Sequence, residues 1–251
     1  MRVAILGPGR AGRSIANAFG AAGIAVDLIA RGDRMTPADI VLVTVRDGDL
    51  PAALCGLRDL QDGAVVLHAS GGTDPEAELN ALRQAGHPVG TFHPLVPLAD
   101  PDTGPTMLRG AWIGVDGDAP AIAVAESLAA AIGAHVLAIP AGAKAGYHAA
   151  AVIAANFTAV LAAAAERTMR RSGLEAAQAH AAVSRLMRVS IDHVAALGPE
   201  RALTGPAARG DLDTIERNIA ALADDPAVRD LYVAATRIAI ELARESRPLH
   251  P

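Results

Sequence analysis

Aromatic residues make up 2% of this 251-residue chain, with three Phe, two Tyr and one Trp. A core without large rings has to be built from aliphatic side chains. Half of the residues are apolar and alanine is abundant, which suits close-packed helices with small faces. The single cysteine, Cys55, excludes an internal disulfide framework and fits a reducing cytoplasm. No basic run occurs and the net charge is −5, so there is no electrostatic footprint for nucleic acid. No set of histidine, cysteine and carboxylate residues has metal-ligand spacing, and no metal is expected. The N-terminus enters an apolar segment directly, without a charged-then-apolar leader. The stretch from Ala149 to Ala165 is mostly alanine and is broken by Asn156 and Thr158. It reads as a buried helix and not as a membrane span.

The chain does hold a compact signature at its start. Val3-Ala4-Ile5-Leu6 is a short apolar run of the kind that forms a buried parallel strand. It breaks at Gly7-Pro8-Gly9-Arg10-Ala11-Gly12 and resumes with helical periodicity through Ile15, Ala18 and Phe19, and Ala25 to Ile29 supplies a second strand. Strand, G-x-G-x-x-G, helix and strand in this order form the dinucleotide fingerprint. Gly7 permits the tight turn, Gly9 lets backbone approach a pyrophosphate, and Gly12 allows close helix–strand packing. The helix start favours negative charge. Where an NAD-binding chain places Asp or Glu at the end of the second strand, this chain has Arg31, with Arg34 behind it. Guanidinium forks suit a 2′-phosphate, which favours NADP(H) over NAD(H). Asp33, past the strand end, is the rival acidic candidate.

The alternation continues. Strands are expected over Ala38–Val45, Val65–His68, Val89–Phe92, Ala111–Val115 and His135–Ile139, and helices from Leu50, over Pro75–Ala85 and over Ala119–Ile132. Leu98–Arg109 reads as a loop. This pattern predicts a doubly wound α/β sheet, and residues 1–140 as a nucleotide-binding domain. Val45 and Arg46, at a strand's carboxyl end, should border the cofactor crevice. Beyond Pro140 no strand signal recurs. Helices are expected over Ala143–Arg171, Leu174–Leu197, Leu212–Ala223 and Pro226–Arg244, making residues 141–251 a helical domain. An alanine-rich helix about 40 Å long is hard to bury in so few residues, so a homodimer through this domain is expected. The Arg247-Pro248 tail reads as frayed.

Several residues have the chemistry to reduce a carbonyl. Hydride addition leaves an alkoxide that something must protonate or stabilise. Lys144 opens the long helix and can do this if partial burial and nearby positive charge lower its pKa; the alternative is a solvated first-turn charge. His148 is one turn on and Asn156 eight residues further, so both share its broad face. Taken singly, each also reads as a satisfied buried polar group. Tyr147 points about 60° away from Lys144 at the helical period. Ser70, after the fourth strand, can hold a carboxylate or carbonyl, or simply close a turn. His93 can line the crevice or be an ordinary loop residue. Thr204, Arg209 and Asp211 are presented by a glycine–proline turn: Arg209 can clamp a carboxylate or be a surface charge, and Asp211 can cap the next helix.

Thr91-Phe92-His93-Pro94-Leu95, the run from Lys144 through Tyr147-His148 to Asn156, and Leu203-Thr204-Gly205-Pro206 with Arg209-Gly210-Asp211 together resemble the six-phosphogluconate-dehydrogenase-like superfamily. The chain is most similar to bacterial proteins that pair a Rossmann-like domain with a C-terminal helical domain of unknown function. The resemblance implies a dehydrogenase fold with a helical dimerisation domain and Lys144 as general acid. It further implies NADPH-dependent reduction of a small 2-oxo acid, with ketopantoate, the pantoate precursor of coenzyme A, as substrate. Related enzymes usually have Asn one turn after the lysine, where this chain has His148. Rival expectations are an imine or pyrroline-5-carboxylate-type reductase, a β-hydroxyacid dehydrogenase, a reductase using a deazaflavin alongside NADP, and a non-catalytic NADP(H)-sensing protein.

Overall fold

The computed structural model describes residues 1–73 and 76–245. The expected helix start at Pro75 and the Arg247-Pro248 tail lie outside them. The chain divides into two units, Met1–Asn156 and Phe157–Pro251.

The first unit is built on a five-stranded parallel sheet of β1 (Arg2–Leu6), β2 (Ala25–Ile29), β3 (Ile40–Val43), β4 (Val65–His68) and β5 (Val89–Thr91). Their order is β2-β1-β3-β4-β5, with all neighbours parallel. Order reverses between β1 and β3, the switch point beside which such sheets bind ligands. Helices α1 (Arg10–Ala21), α2 (Leu50–Cys55) and α3 (Glu76–Gln84) connect the strands. Side chains alternate strictly between two cores. Val3, Ile5, Ile40, Leu42, Val65 and Leu67 pack on one face with Phe19 and Phe92, while Ala4, Val41, Val43 and Val66 pack on the other with Leu50, Leu54 and Leu79. A parallel sheet covered on both sides needs this near-continuous run of apolar residues in each strand.

Two expectations are corrected here. The predicted loop over Leu98–Arg109 holds a short 3-10 turn (Pro101–Thr103) and α4 (Gly104–Leu108), pinned because Leu108 is fully buried. The later strands do not extend the first sheet. β6 (His93–Pro94), β7 (Trp112–Val115) and β8 (His135–Ala138) form a second sheet, with β6 antiparallel to β7 and β7 parallel to β8. Among the described residues an antiparallel bridge between Gly90 and Gly117 joins it to β5. The strand after β5 reverses pairing at Pro94, which cannot donate to a continued ladder. α5 (Ala119–Ala131) covers the junction, with Ala121, Ala125 and Leu128 buried.

α6 (Lys144–Arg171) begins in this unit and runs into the second, so the division falls inside the helix and not at its start. The second unit continues with α7 (Ala176–Leu197), α8 (Pro199–Ala202), α9 (Pro206–Arg209), α10 (Leu212–Ala221) and α11 (Pro226–Glu245). Within it Asp225 bridges Arg167 at 2.8 Å and Arg171 at 3.0 Å, tying α6 to the start of α11. Among the described residues α6 is the one helix long and apolar enough to cross a membrane. The expectation of a buried helix is corrected as well: of α6 only Lys144 is buried. One chain has too little surface to enclose a rod of this length, and its apolar faces stay open.

Candidate active site

The sheet register sets the site. Leu6, Val43, His68 and Thr91 pair successively across β1, β3, β4 and β5, forming one row at the carboxyl ends. The segments that follow therefore open on the same edge: Gly7-Pro8-Gly9, Thr44-Val45-Arg46, Ala69-Ser70-Gly71-Gly72, and Phe92-His93. Three strand spacings separate the first from the last, about 14 Å.

At the β1 end the glycine turn has the shape its sequence requires. Gly7 has φ of +115°, open to glycine alone, and a Cβ on Gly12 would overlap the Gly7 carbonyl and stand 2.6 Å from Thr44 Oγ1. Thr44 Oγ1 donates to Gly7 O at 2.8 Å and holds the turn closed, a role not read from sequence. A Cβ on Gly9 would meet nothing within 4 Å, so the approach to the helix start is open. Gly9 caps α1 with no side-chain hydrogen bond, and the first turn has no acidic residue. Arg10 is exposed and Ala11 half-buried beside it, while Pro8 O accepts from Arg13 Nε at 2.9 Å. These features fit a bound pyrophosphate. Arg31 and Arg34 are both exposed past β2. The rival Asp33 is spent on the turn, where its carboxylate accepts from Ala30 N at 2.9 Å. Val45 is half-buried at the crevice, and Arg46 is exposed and paired with Asp49 at 2.8 Å.

At the β5 end the first turn of α6 packs over the strand termini. Lys144 is 7% exposed, and its Nζ donates to Thr91 Oγ1 at 2.7 Å and stands 3.4 Å from Asp116 Oδ2. The charged neighbour is thus an anion, not the positive charge expected. Thr91 Oγ1 also lies 3.4 Å from Nε2 of His68, which is buried with its Nδ1 unpartnered. Burial, reinforced by the Lys144 ammonium, drops the His68 pKa to about 3. One turn along α6, Tyr147 Oη is 2.8 Å from His93 Nδ1. Burial lowers His93 to about 4, with His148 and Lys144 adding to it, and burial raises Tyr147 to about 12, with Asp116 adding to it. Near neutral pH both of these histidines are neutral and the phenol is protonated. His148 packs against Gly71 and Gly72 and meets His93 edge-on, their ring centroids 6.0 Å apart.

The structure therefore gathers Lys144, His148 and His93 at the ends of β4 and β5. It does not bring Asn156 to them: that residue is exposed, about 18 Å along α6 from Lys144 and about 12 Å from His148. Ser70 is buried but closes its own turn, its Oγ accepting from Thr73 N at 2.9 Å. In the second unit Thr204 and Arg209 are exposed, and Arg209 stands 3.9 Å from Asp211. Asp211 caps α10 through Thr214 N at 3.1 Å and Thr214 Oγ1 at 2.8 Å, the alternative to substrate binding. Thr91, Asp116 and His68 were not among the candidates, and Tyr147 was set aside for pointing away from Lys144. Asp116 was findable, since it directly follows β7; the Tyr147–His93 pair was not, because the two residues are 54 positions apart.

The chain belongs to the family defined by the Domain of unknown function (DUF2520), which matches residues 111–238, just over half of its length. No curated protein sequence matches it. Its fold is shared by solved structures. A Bacteroides fragilis protein whose name proposes an NADP oxidoreductase is 20% identical, with a TM-score of 0.76 over 96% of this chain and 98% of the other. A Thermotoga maritima protein is 23% identical, with a TM-score of 0.75 over 98% and 99%. The reductive aminase of Aspergillus terreus, in complex with NADPH and ethyl-5-oxohexanoate, is 15% identical, with a TM-score of 0.69 over 100% and 96%. The Rossmann-like sheet with a large helical C-terminal part is thus the fold of this chain.

Proposed function

We propose that this protein is an NADP(H)-dependent oxidoreductase that reduces a small 2-oxo acid, with ketopantoate as the substrate to test first. The reading is carried by one observation: a buried ammonium and a glycine cradle lie at the same edge of one parallel sheet, over strand ends about 14 Å apart. The names of the reductive aminase and of the Bacteroides fragilis protein support a nicotinamide cofactor. That cofactor supplies a hydride. The first-turn N–H groups of α1 hold its pyrophosphate, and Arg31 with Arg34 faces its 2′-phosphate. Lys144 neutralises and protonates the oxygen left by hydride addition. Thr91 orients the ammonium, and partly exposed Asp116, 3.4 Å from it, gives its replacement proton a way in from solvent. His148 offers a second contact to the substrate. The apolar faces of α6 and α7 meet a second copy, so the enzyme works as a homodimer in the cytoplasm.

A panel of 2-oxo acids and cyclic imines assayed by NADPH oxidation tests the substrate. The likeness to the reductive aminase favours C=N reduction as the second reading, and turnover of imines alone would select it. Lys144→Ala separates an enzyme from a sensor. It should lower turnover by about 10²–10⁴-fold with NADPH binding retained; unchanged turnover removes Lys144 from the chemistry.

A further inference from the structure

We propose that Tyr147 and His93 are positioning residues that decide which nitrogen of His148 carries its proton. The relay runs one way: Tyr147 Oη–H donates to His93 Nδ1, His93 Nε2–H to His148 Nδ1, and His148 Nε2–H is left for the substrate. The first link is formed, at 2.8 Å. The second is poised. His93 Nε2 and His148 Nδ1 lie 2.6 and 2.8 Å from the point that a Cβ on Gly71 would occupy. His148 Nδ1 is buried with no partner, a costly state that a hydrogen bond from His93 Nε2 relieves. Any larger residue at position 71 would drive the two rings apart.

The hydrogen count sets the direction. A neutral His93 has one N–H. If Nδ1 held it and donated to the phenol oxygen, the Tyr147 hydroxyl proton would need another acceptor. His93 is the only hydrogen-bond partner of Tyr147 Oη among the described residues. In the opposite sense the phenol proton has His93 Nδ1 as its acceptor, the His93 proton faces His148, and the chain ends on His148 Nε2–H. An N–H donor on His148 beside the Lys144 ammonium suits an oxygen with free lone pairs, as on a 2-oxo acid, and not an iminium nitrogen, which has none. This consequence rests on the reductase reading; the relay does not.

Long-range 1H–15N spectra of the histidine rings, on the protein without substrate at neutral pH, test the relay directly. Both His93 and His148 should carry the proton on Nε2. In Tyr147→Phe, His93 should gain the Nδ1–H form, and turnover should fall about ten- to hundredfold at unchanged NADPH affinity. Gly71→Ala, whose methyl would press on both rings, should change the His148 pattern. An Nδ1–H form at either histidine in the unaltered protein overturns the relay, as do unchanged ring spectra in Tyr147→Phe. The unaltered spectrum decides even where a variant fails to fold. A protein with the expected tautomers that reduces no oxo acid would keep the relay and lose the substrate.

Discussion

The two units of this chain use the same aliphatic residues to opposite effect. In Met1–Asn156 the strands bury Val, Ile and Leu on both faces, and two cores flank one sheet. In the Phe157–Pro251 unit the buried hydrophobics among the described residues are Ala179, Val183, Ile215, Val228 and Ala243, while Leu186, Ile191 and Ile238 are more than half exposed. A sheet is enclosed by the helices that connect its own strands. A long helix exposes all sides and needs neighbours that one chain of this size does not supply. The first unit thus presents a formed site, and the second presents surface.

The sharpest way to break that contrast is at the glycine turn. Gly9→Ala should leave the fold intact, because the added methyl meets nothing, yet weaken NADPH binding at least about tenfold by blocking phosphate approach. Gly12→Ala should lose both stability and binding. Equal melting temperatures and equal NADPH titrations for Gly9→Ala and the parent would show that the turn holds no phosphate. The complementary test is on α6, where Ile153 is 62% and Phe157 48% exposed in the single chain. Ile153→Glu with Phe157→Glu should turn a dimer into a monomer by sedimentation while leaving the monomer folded. A parent that sediments as a monomer at tens of micromolar would remove the dimer from the proposal.

A smaller effect sharpens the comparison through pH. His68 and His93 titrate in the fold at about 3 and about 4, against 6.5 when unfolded. Between these values the unfolded chain binds more protons, so their contribution is whole above neutrality and declines as pH falls through 6.5. Thermal scans should show the melting temperature dropping from pH 7.5 to pH 5, with part of the drop absent in His68→Asn. A flat profile would mean that these histidines are not buried. The smallest change belongs to the second unit. Asp211→Ala removes the cap of α10 and should lower the melting temperature by about 2–4 °C without altering turnover. Lost turnover at unchanged stability would instead return Asp211 to the substrate.

Much of the first unit was legible in order. The runs Val3–Leu6, Ala25–Ile29 and Val65–His68 became β1, β2 and β4 within a residue, because a buried parallel strand has to be continuously apolar. The glycine turn was legible for a similar reason, since a positive φ and a backbone contact with no room for a Cβ admit one residue type. Ser70 and Asp211 were ambiguous, because a side-chain oxygen that closes a turn and one that binds a ligand look alike in a string of letters. The break after β5 was hidden because strand pairing is chosen by partners and not by the strand's own residues.

The sequence by itself determined the nucleotide turn, the strand and helix types and the lysine at the head of α6, since each depends on local backbone geometry or on periodicity along one segment. Only the tertiary structure decided that Lys144 meets Thr91 and Asp116, that His93 meets Tyr147, and that two glycines admit His148 between the strand ends. Those contacts join residues dozens of positions apart. Their formation depends on sheet register and helix docking, quantities that no single stretch of sequence contains.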